Sequence, residues 1–232
     1  MSLTTSSVCA ASTNSSGLIF GYYYIVTAED GGAVQYTNND DGEYTLEWTN
    51  NSGSFVAGAG YNPGSAQTIR FGSFEVAGSS YLSIYGWTTN PLVEYHILEQ
   101  NYGGNDPPVG LTWKGNLTSD SSVYDIYETE IYWSIRQDLR SDGLVTTGNH
   151  FSAWAAVGMP LDTFNYQIVA AEGFASSVNG SLTNAVESPP AGPCAPEYGQ
   201  CGGQGFTGPN CCVSNTTCIV DNAFFSTCVT NL

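Results

Sequence analysis

Two acidic residues stand inside strand-like sequence that is otherwise apolar or aromatic. Pro91-Leu92-Val93-Glu94-Tyr95-His96-Ile97 carries one, and Val169-Ala170-Ala171-Glu172-Gly173-Phe174 carries the other. An acid in mid-strand ordinarily points to water. That reading weakens when the residues two positions away, which share its face, are not polar. Glu172 shares a face with Phe174, Ala170, Ile168 and Tyr166, and Glu94 with His96 and Leu98. Two carboxyls on a concave, aromatic-lined face can cleave a glycosidic bond. One attacks the anomeric carbon while the other protonates the leaving oxygen. Burial and mutual repulsion would set their pKa values apart, so that one is ionised and the other protonated at the same pH. The plainer alternative is a pair of structural acids. His96 likewise has two readings, a hydrogen-bond donor in the cleft or a titrating partner of Glu94. His150 reads as structural. Two dispersed His, with no Cys/Asp cluster outside the C-terminal segment, argue against a metal site. No nucleophile-elbow or phosphate-loop pattern occurs, and no cofactor is expected.

The elements that must position these acids are short runs of Tyr, Val, Ile and Thr between Gly/Asn/Ser/Pro turns. Strands are expected at 21–26, 33–37, 43–49, 54–59, 68–74, 81–87, 93–100, 122–129, 131–138 and 166–172. One helix is expected over 149–158, with Asn149 as N-cap, Gly158 as stop, and Phe151, Trp154 and Ala155 on one face. Many antiparallel strands and one helix predict an all-β jelly-roll sandwich.

The 232 residues suffice for such a domain with a small appendix. Lys+Arg is 4 against Asp+Glu 21, a net charge of -17, which disfavours nucleic acid and anionic membrane partners but not neutral polysaccharides. No apolar run is long enough to span a membrane. Six of the 7 Cys fall between Cys194 and Cys228, the mark of a disulfide-stapled module from an oxidising compartment. Cys9 is left over, with no role assigned. Sequons at Asn14, Asn50, Asn116, Asn179 and Asn215 agree with secretion to the extracellular space. Met1-Ser2-Leu3 runs straight into polar residues, which reads as a mature form with an added Met. The expected division is 1–184, a Pro-rich linker at 185–193, and a module at 194–232.

The segment Tyr81-Leu82-Ser83-Ile84-Tyr85-Gly86-Trp87-Thr88-Thr89-Asn90-Pro91-Leu92-Val93-Glu94-Tyr95 resembles the nucleophile strand of family 11 glycoside hydrolases, the small endo-β-1,4-xylanases. Further matches follow in order. They are Ala59 to Gly64, Ser119 to Tyr127, Tyr132 to Arg136, Asn149 to Trp154 and Tyr166 to Phe174. The resemblance covers most of residues 17–186. It implies a hand-shaped jelly roll with one helix and a deep cleft, Glu94 as nucleophile, Glu172 as acid/base, and retention of anomeric configuration. It also implies substrate contacts at Tyr81, Tyr85, Trp87 and Tyr166. Several departures stand out. Tyr127-Glu128-Thr129-Glu130-Ile131-Tyr132-Trp133 leaves no room for the family's long thumb hairpin. Thr27 stands where the family has a sugar-stacking Trp, Ser54 where an Asn or Asp bonds the acid/base, His96 where a Tyr follows the nucleophile, and Tyr61 where Trp is frequent.

The six Cys of the C-terminal segment allow 15 connectivities. Zinc is disfavoured there, since the segment holds no His and no paired C-x-x-C knuckles. The run Tyr198-Gly199-Gln200-Cys201-Gly202-Gly203-Gln204-Gly205-Phe206 with its following cysteines is similar to the fungal family 1 carbohydrate-binding modules. That similarity implies the pairs Cys201–Cys218, Cys212–Cys228 and Cys194–Cys211. It also implies a flat cellulose-binding face of Tyr198, Phe224 and Phe225 beside Asn222. The expected protein is a monomeric, retaining endo-β-1,4-xylanase whose partners are xylan and cellulose, weak or altered in specificity by the missing thumb. A catalytically impaired carbohydrate-binding protein, and a glycosidase for another β-glucan or decorated xylan, remain the alternatives.

Overall fold

The protein is described by a computed structural model. It covers residues 8–11, 14–19, 21–29, 33–39, 43–49, 53–72, 80–102, 110–174, 180–187, 195–202, 216–222 and 225–230. The chain divides into two compact units, Met1–Glu187 and Ser188–Leu232.

In the first unit the strands are β1 (Val8–Ala11), β2 (Ser15–Ile19), β3 (Tyr22–Ala28), β4 (Ala33–Asn38), β5 (Glu43–Thr49), β6 (Ser54–Tyr61), β7 (Thr68–Gly72), β8 (Ser80–Thr89), β9 (Leu92–Tyr102), β10 (Thr112–Ser119), β11 (Ser122–Glu128), β12 (Ile131–Arg136) and β13 (Gly143–Thr146). Helix α1 (Thr147–Ala156), β14 (Phe164–Phe174) and β15 (Gly180–Glu187) complete it. One sheet runs β1-β4-β5-β15-β7-β13 and the other β10-β11-β12-β9-β8-β14-β6-β3-β2. The pair β12–β9 is parallel. This is the expected all-β jelly-roll architecture with one helix. β15 continues through Glu187, pairing Ala185, Val186 and Glu187 with β7. The first three residues of the stretch expected as linker are therefore strand.

The core lies between the sheets because alternate residues of each strand are large and apolar. Tyr36, Tyr44, Leu46 and Trp48 of the smaller sheet meet Phe55, Ala57, Ile84 and Val169 of the larger one. The Tyr44 hydroxyl crosses the interior to donate to the carbonyl of Val169 at 2.9 Å, so its polar tip is satisfied where the ring is buried. Gly58 and Gly60 of β6 allow a close approach to β14. A Cβ at either position would lie within about 2.2 Å of a β14 carbonyl oxygen.

The helix is capped three residues earlier than at the expected Asn149. Thr146 occupies the N-cap position without a side-chain cap of its own. The Asp120 carboxylate from the β10–β11 turn accepts from Thr146 N at 2.9 Å and Thr146 Oγ1 at 2.8 Å, placing an anion at the positive helix end. Asn149 instead donates to Ser119 Oγ. The buried face is Thr147, His150 and Trp154, and Ala155 is exposed. The bulky Trp154 ring takes the inward position, turning its small neighbour out. Gly158 does end the helix, at φ +84.

The second unit holds β16 (Gln200–Gly202), β17 (Thr216–Asn222) and β18 (Phe225–Thr230), in the order β16-β18-β17. Cys201 and Cys228 are both disulfide-bonded and buried. Cys194, Cys211, Cys212 and the Cys218 side chain lie outside the described residues, as does the side chain of Cys9.

Candidate active site

The site lies on the face of the nine-stranded sheet turned away from the core. Register decides which residues meet there. Ile168 pairs with Tyr85, and Glu172 with Tyr81. Tyr85 pairs with His96 and Trp87 with Glu94. Paired residues in a sheet share a face, so strands distant in sequence bring both acids to one face, where Glu94 lines a cleft and Glu172 is buried nearby. That cleft encloses about 400 Å3, and its walls include Thr27, Ser54, Tyr85, Trp87, Glu94 and Tyr166.

Glu94 reaches the cleft with its side chain 22% exposed. Glu172 is deeper, at 4%. His96 joins them. Its Nδ1 lies 3.0 Å from Glu172 Oε1 and its Nε2 3.4 Å from Glu94 Oε1. The ring is held flat by Trp133, stacked at 4.1 Å with 9° between planes. A neutral imidazole has one N–H and can serve only one of two carboxylates; the imidazolium serves both. Burial works against that charge, but Glu172 and then Glu94 outweigh it and push the His96 pKa up to about 9. Burial also works against the ionised form of Glu94, whereas His96 and the Tyr85 hydroxyl stabilise it and bring its pKa below the usual carboxylate value.

The remaining contacts orient the acids. Ser83 Oγ donates to Glu172 Oε1 at 2.9 Å. Trp87 Nε1 donates to the Tyr85 hydroxyl at 2.7 Å, which leaves the Tyr85 proton for Glu94. Tyr166 lies beside Tyr85, with ring centroids 6.0 Å apart. Burial, partly offset by the neighbouring Tyr85 hydroxyl, pushes the Tyr166 hydroxyl up to about 12, so it acts as a neutral hydrogen-bonding group. Two outcomes differ from the sequence reading. Ser54 lines the cleft wall, and the serine bonded to Glu172 is Ser83, which that reading passed over. Tyr81 shares the face of Glu172 but is buried at 3% exposure and is not among the residues that line the cleft. His150, read as structural, is wholly buried at the helix, edge-on to Tyr124 at 4.6 Å, and burial drives its pKa down to about 3.

Thr129 and Glu130 alone connect β11 to β12 beside this cleft. In the second unit Tyr198 is 71% exposed and Phe225 39%. Asn222 is exposed and pairs in register with Phe225. Phe224 lies outside the described residues. Among the described residues no His/Cys/Asp/Glu group is arranged to hold a metal, and no helix is long and apolar enough to cross a membrane.

Residues 20–183 match the family described as "Glycosyl hydrolases family 11", and residues 197–225 match "Fungal cellulose binding domain". The chain is 47% identical over 237 residues to "Endo-1,4-beta-xylanase B" of Phanerodontia chrysosporium, with 85% of this chain and 81% of that protein covered. It is 44% identical over 229 residues to "Ethylene-inducing xylanase 1" of Botryotinia fuckeliana, covering 84% and 80%. Among solved structures, one of the two major endo-1,4-beta-xylanases of Trichodrema reesei superposes with a TM-score of 0.61 at 34% identity. The match covers 77% of this chain and 99% of that one.

Proposed function

Because the chain belongs to glycosyl hydrolase family 11 and carries a fungal cellulose-binding domain, we propose that it is a secreted endo-1,4-β-xylanase that cleaves cell-wall xylan with retention of configuration. The observation that carries this reading is the pair Glu94 and Glu172 converging on one imidazole in the floor of an aromatic cleft. In the first step the Glu94 carboxylate attacks the anomeric carbon while the glycosidic oxygen leaves with a proton from Glu172, which draws it from the His96 imidazolium at Nδ1. In the second, water replaces Glu94 on the sugar while Glu172 takes the water's proton. The disulfides at Cys201 and Cys228 fit an oxidising, extracellular setting. The exposed Tyr198 and Phe225 fit a stacking face for cellulose, with Phe224 as its third member. Tethering there raises the local concentration of xylan. The two-residue β11–β12 turn and Thr27 in the cleft wall support an open cleft with weaker grip and tolerance of branched chains.

Reducing-sugar release from arabinoxylan, mixed-linkage β-glucan and cellulose, assayed side by side, tests the reading. Arabinoxylan is expected to be cleaved fastest, with its branches causing little loss relative to linear xylan. No release from any of the three would leave only a carbohydrate-binding protein.

His96 supplies a pH signature. Its folded pKa of about 9 exceeds its unfolded value of about 6.5. Its contribution to stability is therefore fully present below pH 6.5 and is lost as pH rises through 9. The charged ring also favours ionised Glu94, so His96→Tyr is expected to move the acidic limb of the kcat/KM profile to higher pH. The variant should also flatten the fall of Tm between pH 6.5 and pH 9.5. Identical profiles in both variants would reduce His96 to a simple hydrogen-bond donor.

A further inference from the structure

One row of register partners crosses the sheet from the catalytic floor to its free edge. Tyr85 pairs with His96, His96 with Trp133, Trp133 with Tyr127, and Tyr127 with Trp113. All five therefore lie on the face that bears Glu94. At ~4.8 Å per strand, Trp113 on edge strand β10 is about 14 Å across the sheet from His96. That is a span of a few pyranose rings.

Trp113 is 60% exposed, whereas Tyr124 and Ile126, which face the core from the adjacent strand β11, are 0% and 1% exposed. The row thus changes character along its length. Trp133 is buried against His96, Tyr127 is half-buried, and Trp113 is open to water. Polar groups flank the platform. Asp125, two residues from Tyr127 on the same face, accepts from Gln137 Nε2 at 3.1 Å. Its register partner is the exposed Asn116. An exposed indole with carboxylate and amide groups beside it suits the apolar face and the hydroxyl edge of a sugar ring. Because only Thr129 and Glu130 join β11 to β12, a chain leaving the cleft can continue across this hairpin.

We infer that Trp113 and Tyr127 form an outer binding platform that holds further sugar units of the same β-1,4-linked xylan chain, continuing the cleft to the edge of the sheet. The inference rests on the reading of Glu94 and Glu172 as the hydrolytic pair. It assigns to the outer hairpin part of the substrate grip that an open cleft otherwise lacks. A platform at this distance acts on long chains and not on short ones.

The test compares kcat/KM for xylohexaose and xylotriose, using the full chain and its Trp113→Ala and Trp113→Tyr variants. Trp113→Ala is expected to lower the xylohexaose-to-xylotriose ratio by about 3- to 10-fold, as befits one stacking contact. Trp113→Tyr should restore most of the ratio. A ratio that stays at the wild-type value, or equal losses on both substrates, overturns the platform while leaving the hydrolytic reading intact. Should the wild type hydrolyse neither oligosaccharide, xylohexaose and cellohexaose are titrated by intrinsic fluorescence. Weaker xylohexaose binding by Trp113→Ala would uphold the platform. Unchanged binding, or an effect confined to cellohexaose, would overturn it. Matching thermal melts establish that the variants are folded.

Discussion

Glu94→Gln is expected to lower the rate of arabinoxylan hydrolysis by about 10⁴-fold, roughly 5 kcal/mol of transition-state stabilisation, while the melting temperature stays close to wild type. The amide preserves size and can still meet the Tyr85 hydroxyl, but it cannot form the covalent ester that a retaining mechanism needs. Truncation sharpens the test. In Glu94→Ala the space left by the carboxylate can admit azide, which attacks the anomeric carbon as the glycosidic oxygen leaves with a proton from Glu172. The product is a glycosyl azide of inverted configuration, visible by NMR. Activity regained with azide and an inverted product would assign the nucleophile to Glu94. Wild-type rates in Glu94→Gln would remove that carboxylate from the chemistry, and with it the proposed mechanism.

Much of this arrangement is legible in the sequence, for a physical reason. Strands buried on one face alternate Tyr, Val and Ile with small polar residues, and β3 to β9, β11, β12 and β14 carry that signal. β10 and β15 do not. The segment Thr112–Ser119 contains Gly115 and Asn116, and Gly180–Glu187 is largely polar. Their extended form comes from pairing with β11, β5 and β7, partners that local composition does not announce. The acids show the same division. Glu94 and Glu172 stand out because their strand neighbours are apolar, but Glu99 of β9 raises an equal signal and does something else. It is fully buried, ion-paired with Arg140 and bonded by the Tyr124 hydroxyl at 2.7 Å, inside a structural network. What separates the three is the company that long-range register brings. Glu99 receives a guanidinium from the β12–β13 connection, whereas Glu94 and Glu172 receive a shared imidazole. Ser83 gave no signal because a serine in a strand is ordinary; only its position beside Ala170, across from Glu172's strand, makes it a partner.

The two carboxylates are thus alike in sequence and unlike in surroundings, and the second substitution exploits that difference. Glu172→Gln is expected to lower kcat on arabinoxylan by about 10³-fold, within the range for removal of a general acid. The loss should be far smaller on an aryl β-xylobioside whose phenol leaves as a stable anion, because that leaving group needs no proton. Glu94→Gln should abolish turnover of both substrates alike, since every glycosidic bond needs the nucleophile. The asymmetry follows from depth. Glu172, at 4% exposure and fixed by Ser83 and His96, is shielded from bulk water and suited to moving a proton. Glu94 opens into the cleft with its charge favoured by His96 and Tyr85, the state an attacking carboxylate requires. Equal losses on xylan and the aryl glycoside in Glu172→Gln would place Glu172 outside proton transfer. The structure would then show a positioned carboxylate whose work is to hold His96 charged beside Glu94.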